Sequence, residues 1–224
     1  MDKAKAVIAS HVGVLVYASL VFLGAWKLVY WQGILYVVLA LVGATLSLAL
    51  VPAGSQITAN RAREANAGQT WDRQLLGVYF LVNVITFVVA GLDSGRFGWS
   101  GSVPLAVTVV GAALMLAGQT VFAVAKPENE FFSSTVRIQA ERGHRVCNTG
   151  LYRFVRHPGY LGMLMLLLAF PLVMNSYWAF VPTLVAAALL VARTILEDRY
   201  LMRELQGYSD YAAQASWRLV PGVF

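Results

Sequence analysis

The sequence predicts an all-α, polytopic integral membrane protein with about six transmembrane helices. Three observations carry that prediction. Hydrophobic residues make up 58% of the 224 positions and charged ones 12%, against roughly 25% charged in an average soluble domain. A water-soluble globule with this composition lacks polar residues to cover itself, and the mean hydropathy of +0.65 agrees. Apolar runs of about 20 residues, the length that crosses a bilayer core of about 30 Å, recur along the chain. The basic residues sit between those runs, and almost all on one side of them. Intrinsic disorder is excluded by the hydrophobicity. A disulfide framework is excluded by the single cysteine, Cys147.

Val7 to Trp26 is the first run. It carries no small-residue cleavage site and another run follows at once, so it reads as a mature span. Trp31 to Ala53 is the second, and the short connection makes the two an antiparallel hairpin. Gly54 to Arg73 is polar, with Asn60, Arg61, Arg63, Glu64, Asn66 and Asp72, and reads as a loop or short surface helix. Gln74 to Leu92 is the third run, and the following Asp93-Ser-Gly-Arg-Phe-Gly reads as a turn. Ser102 to Ala125 is the fourth, with Pro104 where a helix start tolerates it. Its Gly111, Ala112 and Gly118 suit close helix packing, within or between chains.

Lys126 to His157 is the longest polar stretch, with six Lys/Arg and three Glu. Pro158 to Met174 and Tyr177 to Ala192 are apolar but short, separated by a break at Asn175-Ser176, and could tilt or dip as a hairpin. Arg193 to Phe224 is charged. Leu201, Leu205, Tyr208, Ala212 and Ala215 form one amphipathic stripe in it, with Gly207 as an interruption. The chain thus divides into a four-span bundle, 1–125, and a chemistry-bearing region, 126–224.

Six spans place both termini and the 54–73 and 126–157 loops on one side. That side carries 15 of the 17 Lys/Arg; Lys27 and Arg96 lie on the other. Such a split puts the polar segments in the cytoplasm. The net charge of +6 then answers anionic lipid heads, not nucleic acid, for which no motif is present. Nucleotide-binding and hydrolase motifs are absent. His11, His144 and His157 lack zinc-like spacing, so no metal is expected. His11, the one ionisable residue well inside the first four spans, reads as an interfacial histidine.

Two clusters carry the chemistry. In the first, Gln139 to Gly162, Pro158 fits a first helical turn. The N–H groups of Gly159, Tyr160 and Leu161 are then free to hold an anion. Gly159 and Gly162 let a flat ligand or another helix approach. A bland alternative is a basic loop that binds lipid phosphate. The second cluster is Arg193, Glu197 and Asp198. Arg193 and Glu197 share a helix face as i and i+4, either as a surface ion pair or as a functional pair in a cavity.

The pattern His144-x-Val-x-x-x-Gly150-x-Tyr152-x-x-x-Arg156-His157-Pro158-x-Tyr160-x-Gly162 resembles the isoprenylcysteine carboxyl methyltransferases and the wider phospholipid-methyltransferase-like superfamily. Glu197-Asp198, Leu201, Gly207-Tyr208-x-x-Tyr211 and Val220-Pro221 agree in order, as do Asn129 and Phe131-Phe132 upstream. The family usually has two glutamates where this chain has Glu197-Asp198. The resemblance spans Glu128 to Pro221. It implies a non-Rossmann fold with a cytoplasmic C-terminal pocket for S-adenosyl-L-methionine. Carried over by motif, Gln139, His144, Val146, Cys147, Tyr152, His157, Pro158, Gly159, Tyr160 and Glu197 line the cofactor, and Arg193 faces the substrate. Cys147 falls at a variable position and contributes backbone.

The implied reaction is methyl transfer to a lipophilic or prenylated acceptor drawn from membrane lipid. A carboxylate such as that of isoprenylcysteine suits Arg193 and needs no base. A phospholipid amine or a thiol would need one, and His157 is the candidate. Two further readings are a shorter relative of the NADPH-dependent sterol reductases and a non-enzymatic membrane protein.

Overall fold

A computed structural model describes residues 3–52 and 68–224. Asn60, Arg61, Arg63, Glu64 and Asn66 lie outside the described residues. The described elements are α1 (Lys3–Ala25), α2 (Trp31–Ala49), α3 (Thr70–Ala90), α4 (Leu105–Glu128), α5 (Pro158–Val173), α6 (Phe180–Glu204) and α7 (Tyr208–Gln214). A π-helical turn, Gly91–Phe97, continues α3, and single 3-10 turns occupy Ala140–Arg142 and Gly150–Arg153. Among the described residues there is no strand, only an isolated parallel bridge between Val155 and Trp217. Five helices are long and apolar enough to cross a membrane; α5, at 16 residues, is the shorter sixth. This is the all-α polytopic architecture the composition requires.

Three boundaries depart from the sequence reading. The third helix starts at Thr70 and runs through the expected turn to Phe97. Gly91 and Gly95 allow this, because a Cβ on either would strike α1 at Val21 or Ala25. Two carboxylates, Asp72 and Asp93, are therefore fully buried in helical backbone. Asp93 accepts from the Ser100 amide at 2.7 Å, from the Ser100 hydroxyl, and from Ser176 Oγ at 2.6 Å. It thus ties the π turn to the α5–α6 break, where Asn175 takes a positive φ of 54°. Finally, α6 spans 25 residues, not a short run ending at Ala192. Arg193, Glu197 and Asp198 lie within it.

Helix α5 lies close against α4. A Cβ on Gly162 would sit 2.8 Å from the Gly118 carbonyl, and one on Gly111 2.6 Å from Leu172. The small residues of the fourth span thus serve packing within the chain. His11 Nε2 lies 3.2 Å from Thr45 Oγ1, a contact between α1 and α2. One end of the bundle exposes Trp26, Trp31, Phe97, Trp99, Tyr177 and Trp178, the belt expected at a membrane–water boundary. Measured from that belt at 1.5 Å per residue, Arg193 lies about 20 Å and Glu197 about 26 Å along α6. Both distances are shorter than the roughly 30 Å of a hydrocarbon core.

After α6 the chain breaks at Gly207, whose φ of 80° suits only glycine without strain. The amphipathic stripe survives the break: Leu205, Tyr208 and Ala215 are buried with Tyr152 and Tyr211, and Leu201 and Ala212 pack partly buried against them.

Candidate active site

A pocket opens at the end of the bundle opposite the aromatic belt, with about 800 Å3 of space free of protein atoms. The 129–157 segment forms its roof, the first turn of α5 and the last turns of α6 its floor, and Tyr208 and Tyr211 of α7 one side. Eight of the eleven expected site residues line it: His144, Val146, Cys147, Tyr152, His157, Gly159, Tyr160 and Glu197. Gln139, Pro158 and Arg193 do not.

Tyr160 is the centre of the floor. Its ring stacks on His157, with centroids 5.6 Å apart and planes 8° apart. The Arg193 guanidinium lies 5.2 Å from the ring centroid. Its hydroxyl donates to Glu197 Oε2. Glu197 is not the ion-pair partner of Arg193 that their i, i+4 spacing suggests. Arg193 turns instead to Asp72 of α3, with Nε to Oδ1 at 2.7 Å and Nη2 to Oδ2 at 3.2 Å, and donates to the Ser134 carbonyl at 2.9 Å. Asp72 also accepts the Val136 amide at 2.8 Å. Arg193 therefore stands behind Tyr160, and Glu197 faces the pocket with its charge unmatched by any cation within ion-pair distance among the described residues.

Glu197 and Asp198 diverge because neighbours on a helix point about 100° apart. Asp198 turns to the C-terminal segment, where it accepts from Arg156 Nε at 2.8 Å and Nη2 at 3.0 Å, Arg218 Nε at 2.8 Å and Tyr208 Oη at 2.9 Å. His157 Nε2 lies 3.3 Å from the same carboxylate. The same nitrogen lies 3.4 Å from Tyr208 Oη. Arg156 is thus a buried brace, not a lipid-phosphate ligand.

The expected anion site at the start of α5 is mostly closed. The Tyr160 and Leu161 amides both donate to the His157 carbonyl at 3.0 Å. The Phe132 ring covers Gly159, where a Cβ would come within 2.7 Å of it, and Gly162 faces α4. Pro158 opens the helix at N1 without entering the pocket.

The roof is held from behind by Gln139. It is 1% exposed, its Nε2 donates to the Phe131 carbonyl at 2.8 Å, and its amide donates to His144 Nδ1 at 3.2 Å. That bond leaves the His144 hydrogen on Nε2. The imidazole stacks on Phe131 with centroids 4.5 Å apart. Burial, then the charges of Arg137 and Arg142, push its pKa down to about 4. His144 is therefore a neutral donor at physiological pH. Its depressed pKa stabilises the fold above the ordinary histidine range, and that contribution is lost as pH falls from about 6.5 towards 4. An NMR titration of labelled histidine should show His144 as the Nε2–H tautomer with a midpoint near 4; a midpoint near 6.5 in folded protein would contradict this. Cys147 donates to the Glu128 carbonyl at 3.5 Å, and burial raises its thiol pKa, so it stays a thiol.

Sequence reasoning left out Asp72, because it was assigned to a loop. Phe132 and Tyr208 had a signal in their motif positions but no role. Among the described residues no group of three or more His, Cys, Asp or Glu could hold a metal.

The sequence pattern of the isoprenylcysteine carboxyl methyltransferase (ICMT) family matches residues 109–203. None of the curated proteins compared matches the chain. The match runs from α4 through α6 and takes in the roof and floor of the pocket, including every expected site residue. The α4–α6 segment that builds this pocket is thus the part of the chain that is similar to the isoprenylcysteine carboxyl methyltransferase family.

Proposed function

We propose that the protein is an S-adenosylmethionine-dependent methyltransferase for a lipophilic acceptor drawn from the membrane. The observation that carries the reading is Glu197: a carboxylate with no cation within ion-pair distance among the described residues, in a pocket rich in aromatic side chains at membrane depth, inside a segment matching a methyltransferase family. Charged groups at that depth are costly and mark function. When bound, the cofactor supplies a methyl group on a sulfonium carrying an amine and a carboxylate. The residues fit that donor. Glu197 offers an acceptor to cationic or N–H groups, held in place by Tyr160. His144 offers a neutral N–H to an acceptor. Phe131, Tyr160 and His157 supply flat faces. The 15-to-2 distribution of basic residues supports a cytoplasmic mouth for the water-soluble cofactor.

The acceptor is reached at membrane depth, so a lipophilic molecule need not leave the bilayer. In our reading it is a carboxylate of the isoprenylcysteine type, already ionised and in need of no base. Arg193 then acts as a positioning residue through Tyr160. A specific observation favours a second reading. Asp72 already neutralises Arg193, which lessens the attraction for a carboxylate and suits an amine or thiol acceptor.

Calorimetric titration with S-adenosylhomocysteine, with NADPH as control, tests the class. Saturable binding of the former alone is expected. Glu197→Gln should weaken it by roughly 10-fold or more, the loss of one charge-assisted hydrogen bond. Binding of NADPH alone would favour a reductase, and binding of neither by folded protein would end the enzyme reading. Screening carboxylate, amine and thiol lipids for methyl transfer separates the acceptors.

A further inference from the structure

Helix lengths set the level of the active-site roof against the bilayer. Helix α5 has 16 residues, so its start at Pro158 lies about 24 Å from the aromatic belt. That is shorter than the roughly 30 Å of a hydrocarbon core. Helix α6 gives a second ruler. Val181, Val185, Ala188, Leu196, Arg199 and Arg203 share one exposed face of it. That face turns from apolar to basic at Arg199, about 29 Å from the start of the helix.

The chain before α5 is thus non-helical at a level where the neighbouring helix is still apolar outside. The C-terminal segment satisfies its backbone there. The Arg156 amide donates to the Trp217 carbonyl at 2.9 Å and the His157 amide to the Arg218 carbonyl at 3.0 Å, beside the Val155–Trp217 bridge. Hydrocarbon would leave those groups bare. The exposed large apolar side chains of residues 129–157 and 205–224 are Phe154, Trp217 and Val223. Phe154 is 66% and Trp217 40% exposed, and both belong to this one seam. Arg153, also exposed, precedes Phe154. The exposed residues of α7 are polar or small: Ser209, Asp210, Ala213 and Gln214. Glu204, the other exposed carboxylate nearby, lies about 100° round α6 from Arg203. Apolar exposure is therefore gathered at the seam, with arginines beside it. A patch of that kind marks an interaction surface. Aromatic rings next to basic side chains at this level suit the headgroup layer of a leaflet rich in anionic lipid.

We propose that Phe154 and Trp217 seat the seam in the headgroup layer on the active-site side, that Arg153, Arg199 and Arg203 meet its phosphates, and, resting on the methyltransferase reading, that an anionic bilayer tightens cofactor binding. The link runs through one short segment. Tyr208 and Tyr211 wall the pocket. Asp198 grips the segment from inside through Arg218 Nε at 2.8 Å. Lipid grips it from outside at the adjacent Trp217, so the wall is held from both sides.

Two measurements on the full-length protein in nanodiscs test this. First, a single thiol is placed at Phe154, Trp217 or Ser209 by substitution to Cys in a Cys147→Ser background, and carries a fluorophore. Nitroxide on lipid headgroups should quench positions 154 and 217, and a water-soluble nitroxide should quench position 209. Quenching of 154 and 217 by the water-soluble reagent as strongly as 209 would overturn the lipid surface. Second, S-adenosylhomocysteine affinity is measured in phosphatidylcholine bilayers with and without phosphatidylglycerol. The anionic bilayer should tighten binding by roughly 5-fold, the worth of one arginine at such a surface. The double variant Phe154→Ser with Trp217→Ser should lose that difference while melting as wild type in detergent. Should it fail to fold, Arg199→Gln with Arg203→Gln should show the same loss. Equal affinity of wild type in both bilayers would overturn the regulation. Absence of binding in either bilayer would remove the methyltransferase reading, and the quenching would still decide the surface.

Discussion

Replacement of Asp198 by alanine is expected to detach the C-terminal segment from the bundle. Two guanidinium groups, a tyrosine hydroxyl and an imidazole converge on this one carboxylate, which is 2% exposed. Without it, Arg156, 8% exposed, keeps only its bonds to carbonyls such as Ala215 and Ser216, at 2.8 and 3.0 Å. Removing one partner of a buried ion pair costs roughly 3–5 kcal/mol, because the other charge stays buried. Arg218 is more exposed and adds less. Thermal unfolding in detergent should show the loss, and limited proteolysis should cut between Glu204 and Phe224 in the variant first. Binding of S-adenosylhomocysteine should fall too, since Tyr208 and Tyr211 wall the pocket. A variant with unchanged melting and proteolysis would mean that the Val155–Trp217 backbone contacts hold the segment by themselves.

The spans were legible because apolar length is a local property. Val7 onward, Trp31 onward and Pro158 onward each declare themselves within one window, and Pro158 marks its own helix start. The ends were less legible where a partner distant in sequence decides them. Asp93 looked like a turn residue because nothing nearby showed that Ser100 and Ser176 would satisfy its carboxylate inside a helix. Arg193, Glu197 and Asp198 looked like a helix end for the same reason. Part of the pocket lining was legible as a family pattern: eight residues carried over by it line the pocket, while Gln139, Pro158 and Arg193 do not. What the pattern does not carry is direction. Neighbouring acids took opposite roles, and the arginine expected at the substrate turned to a residue 121 positions away. Tertiary pairing of this kind leaves no periodic trace.

That pairing makes the last expected result a pair of variants. Asp72→Ala leaves Arg193, 5% exposed, with the Ser134 carbonyl, the Tyr160 face and the more distant charge of Glu197 but no ion-pair partner. The Val136 amide loses its acceptor as well. A destabilisation of roughly 3–5 kcal/mol follows for a stranded buried charge. Arg193→Met alone strands Asp72, which has no exposure at all, and should cost a similar amount. The double variant Asp72→Leu with Arg193→Met removes both charges and restores apolar contact. It should recover most of the loss, with a coupling of roughly 0.5–3 kcal/mol. Denaturation of all the variants in one detergent measures it; strict additivity would show that the two side chains do not depend on each other. Asp72 lies outside the residues matched by the family pattern and Arg193 inside them. Coupling would therefore mean that the matched segment cannot hold its own arginine. The amino-terminal helices then do more than anchor the protein: α3 supplies the charge that lets a cation stand behind Tyr160 at membrane depth.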